Sequence, residues 1–94
     1  VDGYVWDVLA AREPDLTGQT RIVLRSPPMG FPPIACLTAR RNASVVKALG
    51  AALNTLSTDA GGRQVLDMLC LDGFTDADPG LYDSIADMFR NLPA

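Results

Sequence analysis

The sequence predicts an α/β chain in the order helix, strand, proline-rich crossing, strand and three helices. Three observations predict it. An apolar stripe of helical period runs through residues 44–56. A short alternating segment runs from Arg21 to Ser26. Between them in kind lies Pro27 to Pro33, with four prolines and a glycine in seven residues, which excludes regular structure because proline fixes φ and removes the amide donor.

The first helix spans Asp2 to Arg12. Asp2 suits the N-cap, where a carboxylate accepts from the free N–H groups of the first turn. Val5, Val8 and Leu9 recur at helical spacing, with Tyr4 beside them, and Pro14 lies just past the pattern. Glu13 to Gln19 reads as a polar connector. Ile22 and Leu24 alternate against Arg21, Val23 and Arg25, which predicts a strand, and the stiff crossing follows. Ile34 to Ala39 is the second expected strand.

From Ser44 to Leu56, the residues Val45, Leu49, Ala52, Leu53 and Leu56 share one face of a helix. Ser57-Thr58-Asp59 breaks it. A further helix is expected from Ala60 to Leu71, stopped by Gly73. Asp78-Pro79 opens the last helix, an N-cap followed by proline at the first helical position. Leu81, Ile85, Met88, Phe89 and Leu92 form its stripe. Two strands make a poor sheet alone, so the pattern reads as part of a larger α/β protein. The opening on Val1-Asp2-Gly3, inside an expected element, agrees with a fragment.

The 94 residues allow one small domain at most, with a thin core. With 48% hydrophobic and 20% charged residues, the balance is globular rather than disordered. The net charge of −3 and the scattered basic residues argue against nucleic-acid binding. No apolar run is long enough to span a bilayer, so no stable membrane insertion is expected. Histidine is absent, which removes Ser-His and Cys-His catalysis and the commonest transition-metal ligand. No enzyme activity, metal or other cofactor is expected. Cys36 and Cys70 lie in apolar segments and read either as two buried thiols or as one disulfide.

Several stretches resemble one family. Val1-Asp2-Gly3-Tyr4-Val5-Trp6, the run Thr20 to Pro27 followed by Phe31-Pro32-Pro33-Ile34-Ala35, and Leu69-Cys70-Leu71-Asp72-Gly73-Phe74 are similar, in that order, to segments of phosphate/phosphonate-type ABC-transporter solute-binding proteins. The resemblance covers nearly the whole chain. It implies a fragment of a two-lobed type 2 periplasmic-binding-protein fold. Residues 1–26 would end the second lobe and include its return strand. Residues 27–33 would be the hinge crossing, and residues 34–94 the C-terminal part of the first lobe. It also implies an extracytoplasmic or periplasmic protein that captures phosphonate, phosphate or a related oxyanion for an ABC permease. The family's Ser/Thr-Gly anion turn would then lie outside this chain. The same fold also serves in sensors and regulators, which leaves a ligand-sensing regulatory domain as the alternative.

The expected ligand-binding residues are Asp2 and Tyr4. The resemblance places Asp2 at the cleft edge, where it would meet a protonated ligand oxygen or a ligand amine, beside its role as a cap. Tyr4 follows within the same turn and would present its hydroxyl to the cleft, although packing is the commoner fate of an aromatic. Trp6 reads as packing within its lobe, and Arg25 as a solvated end of the strand. Asp76 and Asp78 are too few oxygens for a cation, and a cap explains Asp78 better. The bare apolar faces at Ile22/Leu24 and Ala35/Leu37 predict that the chain alone is a homodimer or larger.

Overall fold

A computed structural model describes residues 1–93. Helix α1 runs from Gly3 to Arg12, and the Asp2 carboxylate accepts from the Val5 N–H at 3.1 Å, as an N-cap does. The expected polar connector is instead a single helical turn, α2, from Pro14 to Thr17. Pro14 therefore opens an element rather than merely following one, because its missing N–H costs nothing at a first helical position.

Residues 20–37 form no secondary structure, and no strand exists among the described residues. This corrects the α/β expectation and both strand assignments, including the return strand within residues 1–26. The physical reason is the ladder. A strand exists only through hydrogen bonds to a neighbour, and Gly30 is the single backbone N–H between Arg21 and Leu37 that donates to a carbonyl among the described residues. The alternation at Ile22 and Leu24 is present, but their side chains stay 47% and 86% exposed. We call residues 20–37 the strap. It ends in a 3₁₀ turn from Thr38 to Arg40.

Helix α3 spans Ser44–Asn54 and gives way to a 3₁₀ turn at Leu56–Thr58. Helix α4 spans Ala60–Met68, and the Asp59 carboxylate caps it by accepting from the Gly62 N–H at 2.8 Å. The turn and α4 pack closely. A Cβ on Gly62 would lie 2.1 Å from the Leu56 carbonyl oxygen, so only glycine permits the approach. Here sits the core. Leu66 is the one fully buried apolar side chain among the described residues.

Gly73 does not stop α4. Cys70 does, in a left-handed conformation at φ 56°. The Cys70 N–H donates to the Asp67 carbonyl at 3.2 Å and the Leu71 N–H to the Leu66 carbonyl at 2.9 Å, which is the paired closure of a Schellman motif. After an irregular stretch, Asp78 caps a 3₁₀ turn at Pro79–Tyr82, accepting from the Gly80 N–H at 3.0 Å, and α5 follows from Asp83 to Arg90. Both cysteines are free and exposed, contrary to the expectation of buried thiols. Cys36 lies on the uncovered strap, and Cys70 lies at the open end of α4.

The assembly is a flat layer of 49 × 44 × 17 Å with a radius of gyration of 17.0 Å. A compact chain of this length would have a radius of roughly 12 Å. Its accessible surface is 8078 Å², against about 5,200 Å² for a compact protein of this mass. The α3 stripe shows why. Leu53 and Leu56 are half-buried, while Val45 and Leu49, on the same face, are open.

Candidate ligand-binding groove

Two side chains dock α1 onto the end of α4. The last carbonyls of a helix have no partner within it. In α4, backbone N–H groups reach those of Leu66 and Asp67, as described above. The Arg12 guanidinium donates to the Met68 carbonyl, and the Tyr4 hydroxyl donates to the Leu69 carbonyl. A cation at a helix C-terminus also complements the helix dipole. Arg63 binds the chain just beyond. Its guanidinium donates to the Leu71 carbonyl at 2.7 Å, the Asp72 carbonyl at 2.9 Å and the Asp67 carboxylate at 2.9 Å.

The strap is fastened at its middle. The Gly30 N–H donates to the Leu81 carbonyl at 3.2 Å, and the Tyr82 hydroxyl donates to the Phe31 carbonyl at 2.9 Å. The Phe31 ring meets the Tyr4 ring edge-on, with centroids 5.1 Å apart and planes at 80°.

These contacts leave a groove of about 1110 Å³ between the first turns of α1 and the strap. Asp2, Tyr4 and Trp6 line it from α1, and Arg21, Arg25 and Phe31 line it from the strap. Both sequence-expected ligand residues therefore border one groove. Asp2 has one carboxylate oxygen on the Val5 N–H. The Tyr4 hydroxyl donates its proton to Leu69 and keeps its lone pairs for accepting. Arg25, read from sequence as a solvated strand end, borders the groove without belonging to a strand. Asp78 is the cap it was read to be, and Asp76 accepts from the Asn54 amide at 2.8 Å.

Sequence reasoning missed Arg12, Phe31, Arg63 and Tyr82. The Arg63–Asp67 spacing is an i,i+4 signal that could have been found. The other three act on partners 51 to 56 residues away in sequence or, for Phe31, on an aromatic in another element.

No curated protein matches the sequence. A family model does: that of the ABC transporter, phosphonate, periplasmic substrate-binding protein, over residues 1–82. The match supports the transport role and gives the regulatory alternative no support. It implies a periplasmic-binding fold, of which the described residues carry helical elements and no strand. It also implies a small ligand and an ABC permease as partners. No helix among the described residues is long and apolar enough to cross a membrane. With the match running from the first residue through Tyr82 of a 94-residue sequence, this chain belongs to the family of phosphonate ABC-transporter periplasmic substrate-binding proteins.

Proposed function

We propose that this chain supplies one wall of a site that captures phosphonate, phosphate or a related oxyanion outside the cytoplasm and delivers it to an ABC permease. The observation that carries the reading is the groove between α1 and the strap, which Asp2, Tyr4, Arg21 and Arg25 all line. Arginine suits an oxyanion because its planar fork donates bidentately. Asp2 suits a protonated ligand oxygen or an amine on the ligand. The division of labour is that the arginines hold charge while Asp2 discriminates. Residues 1–26 belong to one lobe of the clamp and residues 34–94 to the other, with the crossing at 27–33 as hinge. The exposed apolar faces of the strap and of α3 are then surfaces that the rest of the two-lobed fold covers.

The role is binding and release without conversion. The test uses the gene product that carries this chain. Trp6 is the only tryptophan of the chain and borders the groove, so its emission reports occupancy where the surrounding protein adds no tryptophan or has it replaced. Titration with methylphosphonate and with phosphate should show saturable micromolar binding to at least one, and phosphorus NMR should return the ligand unchanged. Failure to bind either ligand, or appearance of a product, would overturn the reading.

A further inference from the structure

The strap spans 18 residues, from Thr20 to Leu37, yet between the turns at its two ends it is fixed to the rest of the described chain by backbone at one place. That place is built closely. A Cβ on Gly30 would lie 2.7 Å from the Tyr82 ring and 2.9 Å from the Leu81 carbonyl oxygen. The Gly30 N–H and the Phe31 carbonyl, on consecutive residues, bond to the consecutive residues Leu81 and Tyr82. The same Phe31 lays its ring against Tyr4, which borders the groove.

We propose that Gly30, Phe31 and Tyr82 form a clamp that sets the groove's width and, through the Phe31 ring, the position of Tyr4. Phe31 and Tyr82 are thus positioning residues. Neither needs to touch the ligand. The Phe31 ring contacts Tyr4, so the clamp acts on the groove through Tyr4. The ligand half of this proposal rests on the oxyanion reading of the groove. The mechanical half does not.

The mechanical half is tested first, without ligand, in the gene product that carries the chain. Tyr82→Phe removes one hydroxyl and keeps the ring. It should speed amide exchange at Gly30 by about two- to tenfold, the loss of one ordinary hydrogen bond. The Leu71 amide, held in the Schellman closure, should not change. Gly30→Ala should open the same clamp by collision with the Tyr82 ring, with both hydroxyls intact. Unchanged Gly30 exchange in Tyr82→Phe would overturn the clamp.

The ligand half is then read by titration with methylphosphonate and with phosphate. Tyr82→Phe should weaken binding by a similar factor in the wild-type background and have no effect in a Tyr4→Phe background. A purely structural role would give the same loss in both backgrounds, and that result would overturn positioning through Tyr4. If the unmodified protein binds neither ligand, the oxyanion reading fails and with it the ligand half, while Gly30 exchange still decides whether the clamp exists.

Discussion

Replacing Gly62 by alanine should destabilise the α4 region, although alanine is the better helix former. In an open helix interior the exchange gains about 0.8–1.0 kcal/mol. Gly50 in α3 offers that case, since a Cβ there would meet nothing within 4 Å. Gly62 offers the opposite. Its Cβ would sit 2.1 Å from the Leu56 carbonyl oxygen and 2.8 Å from the Leu56 Cδ1. A backbone oxygen cannot swing aside as a side-chain tip can, so the 56–58 turn must move off α4. Overpacking costs about 1–3 kcal/mol, and a contact this short belongs at the upper end. Subtracting about 1 kcal/mol of regained helix propensity leaves about 2 kcal/mol of net loss. Urea unfolding followed by far-UV ellipticity should therefore move the midpoint up for Gly50→Ala and down for Gly62→Ala. An upward shift of both would refute the reasoning, because it would mean that helix propensity and not the approach of the turn governs α4.

Three further outcomes are expected. Asp2→Asn keeps an N-cap of equal quality but loses the charge, so ligand affinity should fall about tenfold or more with little change in melting temperature, whereas Asp2→Ala should lower both; calorimetric titration beside thermal melts separates the two roles, and equal affinity in Asp2→Asn would reduce Asp2 to a cap. Cys70→Gly relieves a left-handed residue that costs about 1–2 kcal/mol when it carries a Cβ, so even after glycine's greater unfolded-state freedom the unfolding midpoint should rise, and a fall would show that the thiol packs more than its exposure indicates. The 94-residue chain by itself should self-associate at micromolar concentration, given its apolar exposure, and light scattering that shows a stable monomer would overturn this.

Sequence carried the local part of this structure well. Asp2, Asp59 and Asp78 each lie where a cap is needed, and two of them were legible as caps because an acidic residue precedes an apolar period or a proline. The α3 stripe was legible because helical spacing is a property of neighbours. The strap was not. Ile22 and Leu24 alternate as in a strand, but alternation specifies a face, while a strand also needs a partner that no local pattern supplies. Gly73 misled for a related reason. Glycine is the usual left-handed residue, and here Cys70 takes that conformation three residues earlier, leaving Gly73 in the irregular chain beyond. At the site, Asp2 and Tyr4 came from the resemblance. The partner of the Tyr4 hydroxyl, 65 residues away, leaves no trace in the residues around Tyr4.

The side-chain bonds that dock α1 have a consequence for the order of assembly. Those from Tyr4 and Arg12 close loops of 65 and 56 residues, whereas the Arg63 bonds to Leu71 and Asp72 close loops of 8 and 9. Loop-closure entropy grows as the logarithm of length, so the long closures cost about 2 kcal/mol more than the short ones. The 56–58 turn, α4 and the Arg63 bonds can therefore form as a local nucleus before any distant segment arrives. The end of α4 then exists as a finished row of acceptors, and α1 docks on it late. The groove is assembled last. By the same reasoning it opens first, at a free energy below that of global unfolding, which makes entry to the site a local event rather than one that disturbs Leu66.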